Sequence, residues 1–314
     1  MLEFNRVRGR GDVVFATILK RSSMMSSFLL IESICSFAES FSQNPILCFL
    51  PSNESLLESE IKMLEELGVN LITFSIDPHF REFPFIPEAV AASMAETTVE
   101  RVDGILAWMN ANTVILGEPE AFTLEDDKYL GYRPVHHTNI GSSWDQPIDP
   151  FWSTIYRLCN VSEDHLHPMK THVDGNYIRP YYNAGFHASR PERKLLGSWR
   201  RKFLELHETS SLQELYKQNS IYRIFVHQAI LSGIILAKLE PEEMQELPPS
   251  YNYPLHLFHE DVSPHRPSRI EEMVTIRHEG FYKNPGWMEK FPAGEQLKQW
   301  IHEKLEKYQA ENIF

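Results

Sequence analysis

The sequence is poor in cysteine and in basic residues relative to acidic ones. Its three cysteines, Cys35, Cys48 and Cys159, are odd in number and widely spaced, which argues against a disulfide-stabilised scaffold. The 43 aspartates and glutamates outnumber the 30 lysines and arginines, so the formal net charge is −13. Because an acidic surface repels the phosphate backbone, we expect no nucleic-acid partner.

Long apolar runs and glycine-rich phosphate loops are also missing. The most apolar stretch, residues 230–239, is much shorter than the ~20 residues that a membrane span requires, so no span is predicted. Residues 1–20 carry arginines but no continuous apolar segment of a secretory signal, so a cytoplasmic location is expected. P-loop, Rossmann and Gly-x-Ser-x-Gly motifs do not occur at the positions that their folds require.

The first half of the chain alternates strand-like and helix-like segments. Apolar strands are predicted at residues 12–17, 45–50, 70–74 and 104–109, and helices at 24–41, 52–67 and 87–99. This alternation predicts an α/β fold with a parallel sheet covered on both faces. Ligands of such sheets bind beyond the carboxyl ends of the strands, so the segments after Thr17, Phe74 and Met109 are of interest.

The second half is less regular and shows no composition break that would mark a linker. Helices are predicted at residues 150–158, 191–206, 221–237 and 295–310. We therefore expect a single domain with an α/β first half and an embellished second half.

Two asparagines follow the fourth predicted strand. Asn110 and Asn112 are spaced i, i+2 directly after an apolar run. The segment resembles the GT-A glycosyltransferases, in which a strand delivers an Asp-x-Asp pair that holds a divalent cation against the diphosphate of a nucleotide-sugar. Asparagine supplies amide oxygens without charge, so affinity for Mn²⁺ or Mg²⁺ should fall. A simple asparagine turn is the alternative interpretation.

Three further motifs resemble the glycogenin-like family and occur in that family's order. Residues 178–186 contain Asn183 and Gly185, residues 225–232 contain Gln228, and residues 276–287 contain His278 and Lys283. The resemblance implies a mostly parallel mixed sheet flanked by helices, with a nucleotide-binding half (about 12–116), an acceptor and sugar half (about 117–290) and a C-terminal helix (291–314).

The resemblance also implies roles for individual residues. Asn183 and Gln228 would orient the sugar or the acceptor as catalytic residues, and Asn110, Asn112 and His278 would hold the metal. The implied substrate-binding residues are Asn110, Asn112, Gly185 and Lys283. Thr17, at the end of a predicted strand, and His137, in the segment after the return of the fourth strand, are added as substrate-binding candidates from their positions in the chain. The partners would be a nucleotide-sugar donor and an acceptor that the sequence does not identify.

Several departures from the family pattern keep other functions open. Asparagines stand at the metal position, His227 replaces an aspartate, and Glu88 lies where a lysine is common, which would oppose the binding of a diphosphate. A non-catalytic binding protein of the same fold is the main alternative. A metal hydrolase that uses His165, His167, His172 and Asp174 is a weaker one.

Overall fold

The four apolar segments of the first half form parallel strands in the computed structural model, which describes residues 13–311. The strands are β1 (Val13–Ile18), β2 (Ile46–Pro51), β3 (Asn70–Phe74) and β4 (Ile105–Met109). The helices between them are α1 (Met24–Phe37), α2 (Glu58–Glu66), α3 (Pro78–Arg81) and α4 (Ile86–Glu100). The predicted alternation is confirmed. The expectation for residues 1–20 falls mostly outside the described residues.

The second half adds short strands and longer helices. In chain order they are β5 (Thr113–Ile115), β6 (Leu130–Pro134), α5 (Pro150–Cys159), β7 (Met169–Lys170), β8 (Tyr177–Ile178), β9 (Tyr182–Ser189), α6 (Leu195–Leu206), α7 (Ser210–Gln218), α8 (Ile221–Lys238), β10 (Met244–Glu246), β11 (Tyr253–Pro254), β12 (Thr275–Arg277), α9 (Trp287–Lys290) and α10 (Glu295–Ala310). The four helices predicted in this half are all present, although α6 begins only at Leu195, after a 3₁₀ turn.

The main sheet has seven strands in the order β10-β6-β9-β4-β1-β2-β3. Within it, β9 runs antiparallel to both of its neighbours, β4 and β6, and the other neighbouring pairs are parallel. The predicted mostly parallel mixed sheet flanked by helices is therefore confirmed. A small sheet, β11-β12-β5, pairs the strand after Asn112 with the strand before His278.

Helix boundaries differ from the sequence prediction where local hydrogen bonds intervene. Helix α2 begins at Glu58 rather than near residue 52, because the Glu60 carboxylate accepts the backbone N–H of Leu57 (2.7 Å) and fixes the first turn there. Gly68 has a φ of +68° directly after that helix, as predicted for the residue that ends it. Helix α1 stops at Phe37, and residues 39–41 form a 3₁₀ turn.

The core lies on both faces of the main sheet. Alternate residues of β1 face opposite sides: Val14 and Ala16 pack with α4, α6 and α8, whereas Val13 and Phe15 pack with α1 and α10. Helix α8 has the length and apolar composition of a membrane span, yet 56% of it is buried inside the fold. It therefore packs as a core helix between α5, α6 and β9.

Candidate functional site

The carboxyl end of β4 meets β9 at Asn110 and Gly185. The Asn110 backbone N–H donates to the Gly185 carbonyl oxygen (2.7 Å). The Asn110 side chain lies against Gly185 so closely that a Cβ at position 185 would be 2.1 Å from Nδ2. Neither Asn110 nor Asn112 has a positive φ, so a left-handed backbone does not account for the asparagine pair. Glycine at position 185 is what allows the Asn110 carboxamide to lie over β9.

Asn112 lies beside His278. The His278 backbone N–H donates to the Asn112 carbonyl oxygen (2.9 Å), next to the paired residues Thr113 and Arg277 of the β5–β12 ladder. Asn112 Oδ1 and His278 Nε2 are both buried, and neither has a hydrogen-bond partner. Buried polar atoms are normally paired, so these two atoms on neighbouring residues can each accept a further partner, a water molecule or a ligand.

The imidazole of His278 is fully buried and is fixed by its own loop. The Gly280 backbone N–H donates to His278 Nδ1 (3.0 Å). A nitrogen that accepts a hydrogen bond carries the lone pair, so the neutral ring carries its proton on Nε2. Burial, followed by the positive charge of Arg277, lowers the His278 pKa to about 3. The ring is therefore neutral near pH 7, with Nε2–H as a donor.

Asn183 and Gln228 both hold the backbone of β9 beside Asn110. The Asn183 Oδ1 atom accepts the Gly185 N–H (3.1 Å), and the Gln228 Oε1 atom accepts the Ala184 N–H (3.0 Å). Both side chains are at least nine-tenths buried. Each amide oxygen is thus hydrogen-bonded to the backbone of β9.

Thr17 lies beside Met109 at the end of β4, and His137 lies near His256. Thr17 is only 1% exposed, and it packs with α1 residues such as Ile31 on the inner face of β1. Its Oγ1 atom is buried and has no hydrogen-bond partner. His137 is half-buried in the loop after β6, near Asp174. The structure places Thr17 in the core between the sheet and α1, and His137 in the loop region beyond the sheet.

Arg277 lies next to His278 and is not among the site residues that the sequence motifs predict. Its Nε atom is buried without a hydrogen-bond partner, while Nη2 donates to the exposed Glu279 carboxylate (3.0 Å). Burial first, and Arg277 next, lower the pKa of both His136 and His278, so the guanidinium lies among these rings. The only signal in the sequence is an arginine directly before His278.

Lys283 and Arg277 supply positive charge on the same loop. Lys283 is exposed and forms no ion pair with any residue in the range 13–311. Its aliphatic chain lies over Gly280, where an added Cβ would be 3.3 Å from Lys283 Cδ. The loop thus presents one free ammonium group and one partly paired guanidinium group beside the unpaired atoms of Asn112 and His278.

The charge of Glu88 is compensated within the structure. Its carboxylate forms an ion pair with Lys20, which follows β1, and the Glu88 side chain is 12% exposed. A negative charge at Glu88 is expected to oppose the binding of a diphosphate, and Lys20 reduces that effect because it supplies the opposite charge.

His227, on α8, stacks on Phe85, the residue that precedes α4. Its ring lies on Phe85 with a centroid distance of 3.9 Å and an interplanar angle of 16°, and Phe85 has a left-handed backbone (φ 65°). His227 Nδ1 donates to the Ile224 carbonyl oxygen (2.8 Å), which leaves the lone pair on Nε2. Burial lowers the His227 pKa to about 3, so this ring is also neutral near pH 7.

The histidines of the hydrolase alternative do not converge. His165 contacts the Leu236 carbonyl oxygen, His167 contacts the carbonyl oxygen of His165, and His172 Nδ1 accepts from Arg133 (2.8 Å). Among the residues that the structure describes, no three His, Cys, Asp or Glu side chains group so as to hold a metal ion. The geometry therefore does not support a metal hydrolase.

Comparisons with known proteins identify the fold. No family model matches the chain, and no curated protein matches it. The bifunctional glycosyltransferase WbbM matches with a TM-score of 0.54 and 13% identity, over 94% of this chain and 52% of that one. An active-site mutant of LgtC matches with a TM-score of 0.51 and 14% identity, over 94% and 95% of the two chains. This chain has the GT-A fold. It spans about half the length of WbbM.

A further structural match is weaker. Core-mannan synthase A from Aspergillus fumigatus, in its Mn/GDP form, matches with a TM-score of 0.42 and 7% identity, over 75% and 72% of the two chains. The expectation of a GT-A fold, drawn from the four motifs, is confirmed. At these identities the likeness concerns the fold, and the roles of individual residues stay predictions.

The side chains at the predicted metal position of the GT-A fold do not fit a divalent cation. Asn110 and Asn112 provide neutral amide oxygens, whereas Mg²⁺ and Mn²⁺ sites are normally built around carboxylates. The third predicted ligand, His278, carries its proton on the nitrogen that would have to bind the metal. A metal-ligating histidine instead donates its other ring N–H to an acceptor. The donor set thus suits an anion better than a cation.

Proposed function

We propose that this protein transfers a sugar from a nucleotide-diphospho-sugar to an acceptor. The observation that supports this most is the convergence of the distant motifs. Asn110 touches Gly185, and Asn112 is hydrogen-bonded to His278, at the carboxyl end of a strand in a GT-A fold. Ligands of α/β sheets bind at these strand ends.

The assigned roles follow from which atoms are available. Lys283 would bind the diphosphate, because its ammonium group is exposed and unpaired among the described residues. Asn183 and Gln228 would act by fixing β9, so that Asn110 and the backbone around Gly185 face the sugar in one geometry. We further propose a cytoplasmic location, which agrees with the buried state of α8.

The test is a panel of nucleotides and nucleotide-sugars, each with and without Mn²⁺, scored by thermal unfolding. A ligand that binds only the folded state at ~100 times its Kd adds about 2.7 kcal/mol of stability. For the nucleotide-sugar that stabilises most, release of free nucleoside diphosphate is then followed over time, with and without candidate acceptor sugars. Stabilisation together with acceptor-dependent release is the expected result.

The asparagines at positions 110 and 112 favour a second candidate, a non-catalytic binding protein of the same fold. The same experiment separates the two functions. Stabilisation by a nucleotide-sugar without any release of nucleoside diphosphate would favour the binding protein. A folded protein that no member of the panel stabilises would reject both.

A further inference from the structure

Three neighbouring residues at the end of the β5–β12 ladder have buried polar atoms without partners. The atoms are Asn112 Oδ1, Arg277 Nε and His278 Nε2. The residues are adjacent because Arg277 pairs with Thr113 across the ladder and the His278 N–H donates to the Asn112 carbonyl oxygen. Leaving a buried donor or acceptor unpaired is unfavourable, so a cluster of three indicates a ligand that supplies the missing partners.

The protons in this cluster can be assigned from its hydrogen bonds. The Arg277 Nε atom always carries a hydrogen and can only donate. His278 Nε2 also carries a hydrogen, because Nδ1 is occupied by the Gly280 N–H (3.0 Å). The cluster therefore offers two N–H donors, where a cation would require lone pairs. The Asn112 oxygen is an acceptor and suits a hydroxyl group on the same ligand.

The charges around the cluster also favour an anion. Arg277 has only the exposed carboxylate of Glu279 as an ion-pair partner, and Lys283 has none among residues 13–311. Further away, Glu88 is matched by Lys20. In a chain of net charge −13, a segment that carries an uncompensated lysine and a half-buried arginine is a local positive site.

We propose that Arg277 and His278 bind the diphosphate of the donor directly, in place of a divalent cation, so that binding of the donor by this protein does not require a metal. A nucleotide-diphospho-sugar carries both anionic oxygens for the two N–H donors and sugar hydroxyls for Asn112. Arginine suits this role because its planar guanidinium presents several donors to phosphate oxygens. The identity of the anion rests on the proposed function, whereas the preference for an anion over a cation does not.

The first experiment titrates the whole chain with inorganic pyrophosphate in the presence of EDTA, by isothermal calorimetry. Saturable binding with one site is expected. Arg277→Ala should weaken that binding by at least ~10-fold, since a charge-assisted contact is lost. Arg277→Lys keeps the charge but loses the planar guanidinium group, so its affinity for pyrophosphate should lie between that of the parent chain and that of Arg277→Ala. Glu279→Gln is the matched control, because it removes the ion pair of Arg277 and should leave binding equal or tighter.

The second experiment addresses His278 and the metal. His278→Gln retains an N–H donor at the end of the side chain and should bind pyrophosphate in EDTA within ~5-fold of the parent chain, whereas His278→Leu should lose at least ~10-fold. Mn²⁺ titrated alone should give no saturable binding. Circular dichroism identifies any variant that does not fold. If a His278 variant does not fold, the Mn²⁺ titration of the parent chain and the Arg277 variants test the anion site.

Three binding results would overturn the inference. The first is pyrophosphate binding that occurs only with Mn²⁺, and the second is stoichiometric Mn²⁺ binding that His278→Leu abolishes. The third is the absence of pyrophosphate binding under both conditions by a folded protein. The proposed function fails separately: pyrophosphate binding in EDTA without turnover of any nucleotide-sugar rejects the transferase and keeps the anion site. Sugar transfer that strictly requires Mn²⁺ keeps the transferase and rejects the anion site.

Discussion

The carboxamide of Asn110 occupies the space that a Cβ at position 185 would need, 2.1 Å from its Nδ2 atom. The same two residues are joined by a hydrogen bond from the Asn110 N–H to the Gly185 carbonyl oxygen (2.7 Å). Glycine at 185 and a short polar side chain at 110 are therefore one structural unit, built from the end of β4 and the middle of β9. The predictions below begin with this unit.

Gly185→Ala should displace the Asn110 side chain. The overlap is with the Asn110 carboxamide alone, so this side chain has to leave its position over β9. We expect the free energy of unfolding to fall by about 1–3 kcal/mol, the usual cost of overpacking, and the response to a nucleotide-sugar to weaken. Urea denaturation and ligand-dependent thermal unfolding measure the two effects.

The control for that variant is Gly117→Ala. An added Cβ there would have one neighbour within 4 Å, Val274 Cα at 4.0 Å, so no clash arises. Equal stability and equal ligand response in the two alanine variants would show that the contact between residues 110 and 185 has no importance for the site.

The double variant Asn110→Asp, Asn112→Asp should convert the site towards cation binding. Two carboxylates at i, i+2 provide the charged oxygens that the present pair lacks. We expect Mn²⁺ to bind measurably and donor binding to become dependent on Mn²⁺, because without the cation the new charges repel the diphosphate. Calorimetric titration with Mn²⁺, followed by a nucleotide-sugar, measures both effects.

Asn53→Asp serves as the charge control for the double variant, because Asn53 is exposed in the turn after β2. It should change neither Mn²⁺ binding nor the dependence of donor binding on Mn²⁺. If the double variant behaves in the same way as this control, then residues 110 and 112 do not lie where a donor diphosphate binds.

Gln228→Ala should destabilise β9, because it leaves the buried Ala184 N–H without the acceptor it has at 3.0 Å. A loss of about 1–3 kcal/mol in the free energy of unfolding is expected for such an unpaired donor. Gln228→Glu keeps an acceptor oxygen and should retain more of the stability. If the alanine variant is as stable as the parent chain, the hydrogen bond does not support the strand.

Buried histidines should make the fold sensitive to mild acid. His187 on β9 is buried with both ring nitrogens unpaired, and burial lowers its pKa to about 3. In the unfolded chain the pKa is about 6.5. Below that pH the unfolded state takes up a proton that the native state refuses, so stability falls as the pH drops towards 3. The slope from this residue is about 1.4 kcal/mol per pH unit.

His187→Phe should therefore flatten the dependence of stability on pH between 6.5 and ~4. Urea denaturation at several pH values gives the slope for the variant and for the parent chain. The matched control is His79→Phe, since the His79 side chain is 63% exposed and pairs with Glu208 on the surface. Parallel pH curves for His187→Phe and the parent chain would contradict the assignment.

The helices and strands that have a clear apolar pattern were predicted well from the sequence. The strand before Asn110 was predicted from its apolar run, and the order of the motifs led to the GT-A fold. The strand that carries Gly185 was not predicted, because the Asn-x-Gly motif suggested a turn. The strand order could not be predicted from the sequence. The antiparallel β9 lies between β4 and β6 because of contacts that no local sequence pattern reveals.

The missed parts of the site depend on contacts between residues that are distant in the chain. The pairing of Arg277 with Thr113 and the ion pair of Lys20 with Glu88 arise from tertiary register, so neither is visible in a local motif. The proton position on His278 depends on a single backbone N–H from Gly280. The sequence motif could identify His278 as a candidate, but only the hydrogen bond from Gly280 shows that its Nε2 atom is a donor.

The short β5–β12 ladder makes the surroundings of Asn112, in the first half of the chain, depend on a segment near the C-terminus. The four parallel strands of the first half end before β5, yet Asn112 finds its neighbours only when the segment around His278 has docked. Any process that loosens the last part of the chain, such as proteolysis near α9, would therefore disrupt the proposed ligand site while most of the sheet stays folded. A bound ligand would in turn hold that segment in place, so protection of the C-terminal loops against hydrogen exchange is a direct readout of occupancy.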